Sequence, residues 1–486
     1  METSVPNQTP QLRAGVARVD ITAEGAGPVN DRLYAKALVL TQGAETVVLV
    51  TIDAVAIGEI GPIPNSFLPQ VRARLQAELG LDSSCLLVNA SHCHGVVCAE
   101  VEDRTVAAVQ AAWQAQVPVR AGAGAGHEDR IMENRRLRLH SGREADVRRA
   151  YALPPDEAVA GVGPVDPQIG LLRLDREDGR TLAVVFNFAC HPIQGVPSGG
   201  NTADLAGFAC RVIEDHCGEG AMAFVLQGCA GDINPVFYTD VARPPDAESL
   251  GSLLGISALR GLTQITPRSE SRLQLISETL ALPRADLAGP IAELEAEQAR
   301  LLQSLRGTSL NLKTFVPLLV KYRLAPEFPS YYAHRYLHDR ALGREDLDRL
   351  DAENRAHLEA YTANILVMEE LTRLQTNLGL LQQHQATNLA AHMQPLEVEL
   401  KGLRLGDFVL LTFPGELSVE IGLELKRRSP HPLTFFAAYT NGYTYYSPTA
   451  QQLLNRGWAQ EDSDCLLAPE WHPLFLDRAL ALLGKL

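Results

Sequence analysis

The chain has 486 residues, 46% hydrophobic and 21% charged, with a mean hydropathy of −0.04. That balance supports a large core or two domains and excludes a disordered chain. The formal charge of −15 and pI near 5.4 exclude a nucleic-acid partner, because phosphate binding needs concentrated Lys and Arg, and disfavour adhesion to anionic lipid.

Met1 to Pro10 have neither the basic start nor the apolar stretch of a secretion signal. No uninterrupted apolar run reaches the roughly 18 residues of a transmembrane helix. A cytoplasmic protein is expected. The eight cysteines form no dense, regularly spaced framework, and a reducing compartment keeps them as thiols.

From about residue 12 to 285, strand-like runs alternate with helical stretches: Thr46–Ile52 reads as a strand and Phe67–Leu75 as a helix. Cys85–Val88, Leu182–Phe186 and Phe408–Leu411 read as buried strands. Ala121–Gly126, alternating Ala and Gly, is either a small-residue turn or a close-packed strand. From about 286 to 394 the texture becomes long helix. Pro290 opens the first, with Leu294, Leu301, Leu302 and Leu305 on its apolar side and Gly307 as its C-terminal cap. A second follows from Leu347, Leu350, Leu358, Tyr361, Ile365, Met368 and Leu371. Strand texture returns at Gly406–Phe413 and Leu433–Tyr439. The expected organisation is an α/β catalytic domain from 12–285 plus 395–486, interrupted by an antiparallel helical insertion at 286–394.

Four polar signatures end apolar runs: Asn89-Ala90-Ser91-His92-Cys93-His94, Cys190-His191-Pro192, Pro414-Gly415-Glu416 and Asn441-Gly442-Tyr443-Thr444-Tyr445-Tyr446. In α/β sheets the loops beyond strand carboxyl ends gather into one crevice. Neutral His nitrogens and a carboxylate suit Zn²⁺, whose catalytic sites use about three protein ligands and leave one position for water.

With Gly15–Thr22, Leu33–Leu40, Ala203–Gly207 and Gln227–Pro235 added in order, these segments resemble the neutral ceramidases and their bacterial relatives. The resemblance covers most of the α/β part. It implies a zinc amidase with a mixed β-sheet catalytic domain, here carrying a long helical insertion. Residue by residue it makes His92, His191 and Glu416 metal ligands and Tyr446 the fourth, with Tyr443 close enough in sequence to take that place. His94 and Arg135 match positions that face the substrate amide, Arg135 to stabilise an oxyanion and His94 also to shuttle protons.

The departures from the family pattern matter as much. Gly231-Asp232-Ile233-Asn234-Pro235 has Asn234 where ceramidases carry serine, which excludes serine catalysis there. Trp458 stands where a tyrosine is expected, and Gly95-Val96-Val97-Cys98 replaces the usual sequence after His-X-His. The family's C-terminal immunoglobulin-like domain is not expected in this chain. A smaller or more polar amide than ceramide is the expected small-molecule substrate. The helical insertion could cover the cleft or mediate homodimerisation.

Other constellations compete. His334 and His338 have i,i+4 spacing but lack the Glu of a His-Glu-X-X-His protease. Cys93, Cys190 and Cys229 near strand ends could suggest a thiol nucleophile. Asp20, Asp53, Asp204 and Asp232 could orient the histidines. Besides a zinc amidase, a non-catalytic binding protein on the same scaffold and an iron or manganese enzyme of another class remain open readings.

Overall fold

The computed structural model describes residues 10–147, 153–238, 240–269 and 271–486. An eight-stranded mixed sheet has the spatial order Met222–Gln227, Thr181–Phe188, Gln168–Arg176, Val117–His127, Arg13–Asp20, Tyr34–Gln42, Glu45–Ile52, Leu86–Ala90. Its two outermost pairs are parallel and the inner ones antiparallel. A four-stranded sheet runs Leu273–Leu282, Leu396–Leu405, Phe408–Thr412, Thr434–Ala437, its last pair parallel.

Because side chains alternate across a strand, both sheets are apolar on both faces. On Thr181–Phe188, Val184 and Phe186 face the helices Asp204–Cys217 and Ala247–Leu262. Their neighbours Ala183 and Val185 face Leu410 and Phe435 of the smaller sheet. Val409 and Leu411 point the other way, to Trp471, Phe475 and Ile421 on the helices Trp471–Leu483 and Val419–Arg428. The helices Phe67–Leu79 and Val101–Gln114 cover the remainder of the large sheet. The result is four layers, with helix, sheet, sheet and helix in sequence.

Ala121–Gly126 belongs to a close-packed strand. A Cβ on Gly124 would lie 2.7 Å from the Ile265 side chain, so glycine lets the segment after Ala247–Leu262 lie against the sheet.

Between residues 288 and 390 the described elements are helices: Ala288–Ser304, Leu312–Leu324, Ala333–Ala341 and the 45-residue Asp346–Ala390. The first stops at Ser304 because Leu305 is already extended, so Gly307 lies beyond its end and is no cap. The long helix runs well past the periodic stretch ending at Leu371. Its later buried positions include Asn377, His384 and Asn388, whose polarity breaks the hydrophobic period.

Candidate metal centre

The carboxyl ends of Leu86–Ala90, Thr181–Phe188, Phe408–Thr412 and Thr434–Ala437 supply the chain leading to the centre. Below it two buried asparagines join the sheets: Asn89 Nδ2 donates to Ala438 O at 2.6 Å, and Asn187 Nδ2 to Phe436 O at 2.6 Å. Just past the first strand His92 takes a left-handed backbone, φ 66°, as does Tyr439 at φ 55°. Such conformations cost roughly 1–3 kcal/mol outside glycine and persist where the surroundings enforce them.

His92, His191 and Glu416 are buried, and one ligand atom from each falls within 4.8 Å of the others. His92 Nε2 lies 3.6 Å from Glu416 Oε1 and His191 Nε2 lies 3.1 Å from Glu416 Oε2. Both Nδ1 atoms meet main-chain carbonyls, Val55 O at 2.6 Å and Ile233 O at 3.0 Å. These contacts turn both Nε2 atoms toward the carboxylate. The orienting role expected of an aspartate is thus met by the backbone. Asp20, Asp53, Asp204 and Asp232 instead accept from the amides of Thr22, Tyr34, Gly195 and Val419.

Burial pushes the His92 imidazole down to about 4, leaving it neutral. Burial would raise the Glu416 carboxyl, but His92, His191 and Tyr443 outweigh it and hold the group well below the carboxylate range. Two imidazole nitrogens facing one carboxylate are a donor set that fits a divalent metal ion.

Tyrosines complete the surroundings. Tyr443 donates to Glu416 Oε1, and Tyr439 to Oε2 at 3.1 Å. Burial, then the Glu416 charge, raises both phenols, so they remain protonated donors. Tyr446 is the cross-strand partner of Glu416 in a short parallel pairing, and its hydroxyl accepts from Arg135 Nη2 at 3.2 Å. Tyr446 lines the cavity beside the centre, whereas Tyr443 holds the carboxylate.

That cavity is about 520 Å³ and is lined by His92, His94, Arg135, His191 and Tyr446, with Asp204 and Tyr238 farther along. His94 is exposed, its ring 5.7 Å from that of His92. Arg135 is only 1% exposed. Its Nε donates to Glu461, Nη1 to Asn234 Oδ1 at 2.9 Å and Nη2 to Gly231 O. Beside it Arg136 pairs with Asp462. Asn234 therefore orients the arginine. Trp458 lies between the guanidinium groups of Arg143 and Arg373, 4.9 and 4.2 Å from its ring centre.

Sequence reasoning missed Tyr439, Glu461 and the two carbonyls. Tyr439 stood two residues before a flagged motif, but Glu461 carried no local signal. Among the described residues the one metal-capable cluster is His92, His191 and Glu416, so His334 and His338 form no second centre. Burial raises the thiols of Cys93, Cys190 and Cys229, which disfavours the thiolate a cysteine nucleophile requires.

No protein-family model matches the chain, and neither does any curated protein. Solved structures do. The neutral ceramidase of Pseudomonas aeruginosa superposes with a TM-score of 0.60 at 16% identity, covering 98% of this chain and 75% of that one. A ceramidase complexed with C2 gives a TM-score of 0.60 at 17% identity, covering 98% of this chain and 76% of that one. The mixed α/β fold is that of neutral ceramidase, as the sequence resemblance implied.

Proposed function

We propose that the protein is a zinc-dependent hydrolase that cleaves an amide bond in an N-acyl or peptide-like small molecule. The observation carrying this reading is the convergence of His92, His191 and Glu416 beside a cavity lined by the two histidines together with Arg135, His94 and Tyr446.

When bound, a zinc ion supplies Lewis acidity toward the amide carbonyl and brings the pKa of a coordinated water to about 7. His92, His191 and Glu416 would hold it, with Tyr446 as a fourth donor. Arg135 places a fixed positive charge where the carbonyl oxygen gathers negative charge, and Glu461 and Asn234 keep the guanidinium from swinging away. His94, exposed at the cavity wall, moves the proton to the leaving amine. The cavity's mixed lining favours a compact, partly polar substrate. A cytoplasmic setting, expected from the sequence, is part of the same reading.

The test is elemental analysis of protein purified without added metal or chelator, beside His191→Ala and Glu416→Ala variants checked for folding. The expected result is about one zinc per chain, lost in both variants along with hydrolysis of N-acyl amines or N-acyl amino acids. Iron or manganese would move the protein to another reaction class. Absence of metal, even after zinc is added, would overturn the proposal.

A further inference from the structure

The helix Leu312–Leu324 has two dissimilar sides. A capping box between Asn311 and Thr314 starts it. Its inner side packs Phe315, Leu318, Leu319 and Tyr322 around Leu358 and Tyr361 of the long helix. The outer side repeats at i, i+4, i+8 and i+12: Leu312, Val316, Val320 and Leu324 are 64%, 46%, 50% and 81% exposed. These side chains make no part of the core, so folding alone gives no reason for them to be apolar.

Charge says what fits this side. The helix contains Lys313, Lys321 and Arg323 and no acidic residue, all three cations exposed. Over residues 306–338 there are five Lys or Arg and one acid, Glu327, in a chain whose formal charge is −15. Tyr331 and Tyr332, 58% and 81% exposed, follow the helix. Exposed aliphatic groups interleaved with cations, followed by aromatic hydroxyls, match the interface of an anionic bilayer: the aliphatic groups enter the acyl boundary and the cations meet the headgroups. A second copy fits less well. A two-fold contact through this helix would set Lys313, Lys321 and Arg323 against their own counterparts, with no acid on the helix to offset them.

We propose that the outer side of Leu312–Leu324 is a docking surface for an anionic membrane, holding the protein peripherally. No described helix is long and apolar enough to cross a membrane. The local charge thereby reverses the expectation drawn from overall composition. This inference is independent of the chemistry at the metal centre.

The experiment is vesicle flotation with the full chain, comparing phosphatidylcholine with phosphatidylcholine–phosphatidylserine mixtures at low and high salt. Val320→Asp/Leu324→Asp and Lys313→Glu/Lys321→Glu variants are run alongside, with circular dichroism as the folding control and sedimentation velocity for oligomeric state. The expected result is binding to the phosphatidylserine vesicles, weakened by salt and reduced at least about tenfold in each variant. No binding at low salt, or binding by both variants equal to that of the parent, would overturn the proposal. So would a dimer that Val320→Asp/Leu324→Asp dissociates, which would assign this side to a second copy.

Discussion

Asn234 holds Arg135: its Oδ1 accepts from Nη1 of the buried guanidinium at 2.9 Å. Serine at this position would be too short to make the same contact. Asn234→Ser is expected to leave metal content unchanged and lower amide turnover by about 10- to 100-fold, because a displaced charge no longer meets the developing oxyanion. Steady-state kinetics beside metal analysis checks this; unchanged kcat would mean that Glu461 and Gly231 O fix the arginine without Asn234.

Tyr443 and Tyr439 each donate a hydroxyl to Glu416. Loss of such an outer contact typically weakens metal affinity about 10- to 100-fold. Tyr443→Phe should therefore lose zinc to a competing chelator at lower chelator concentration while keeping its circular dichroism spectrum. Equal retention by variant and parent would show the carboxylate to be fixed by the histidines alone.

Asp53 is pushed up from 3.8 to about 6 by burial, with Lys36 and the Tyr34 amide opposing that rise only in part. Between those values the native state binds more protons than the unfolded one, so this group's contribution to stability falls as pH rises through the window. Above it, the buried charge costs about 3 kcal/mol. Asp53→Asn keeps an acceptor for Tyr34 N–H and should raise the urea midpoint near neutral pH, the gain fading toward about pH 4. A gain independent of pH would assign the effect to packing.

Arg136 is buried against Asp462, with Glu144 and Glu461 nearby. Removing one member of such a group strands the others, at about 3–5 kcal/mol. Arg136→Ala should unfold at markedly lower urea, and Arg136→Met/Asp462→Leu should recover much of the loss. Additive losses in the double variant would show that the two residues do not act as a pair.

The motifs that were legible are those in which chemistry and local structure coincide. His92, His191 and Glu416 each follow a strand whose continuous apolar run marks it as buried, and loops at strand carboxyl ends converge. The second sheet was harder to see as separate, because Leu410 facing one layer and Leu411 facing another are both apolar and leave no alternation to read. Glu461 was invisible for another reason. It reaches Arg135 across 326 residues of sequence, and no local pattern encodes that distance. Carbonyls such as Val55 O are present at every residue and acquire meaning only when a ring is placed against one.

The 45-residue helix is built in at one end and carries its cargo at the other. Arg373 donates to Gly457 O, His384 meets Asp464 at 2.6 Å and Asn388 bonds Leu466 O at 3.0 Å. Asp464 O in turn accepts from the Tyr446 amide at 3.1 Å. At about 1.5 Å per residue the helix spans about 67 Å. It is a cantilever whose fixed end is hydrogen-bonded to the segment that also holds the Tyr446 amide. Cutting the arm at its root would therefore disturb the centre, whereas trimming the outer helices would leave that end clamped.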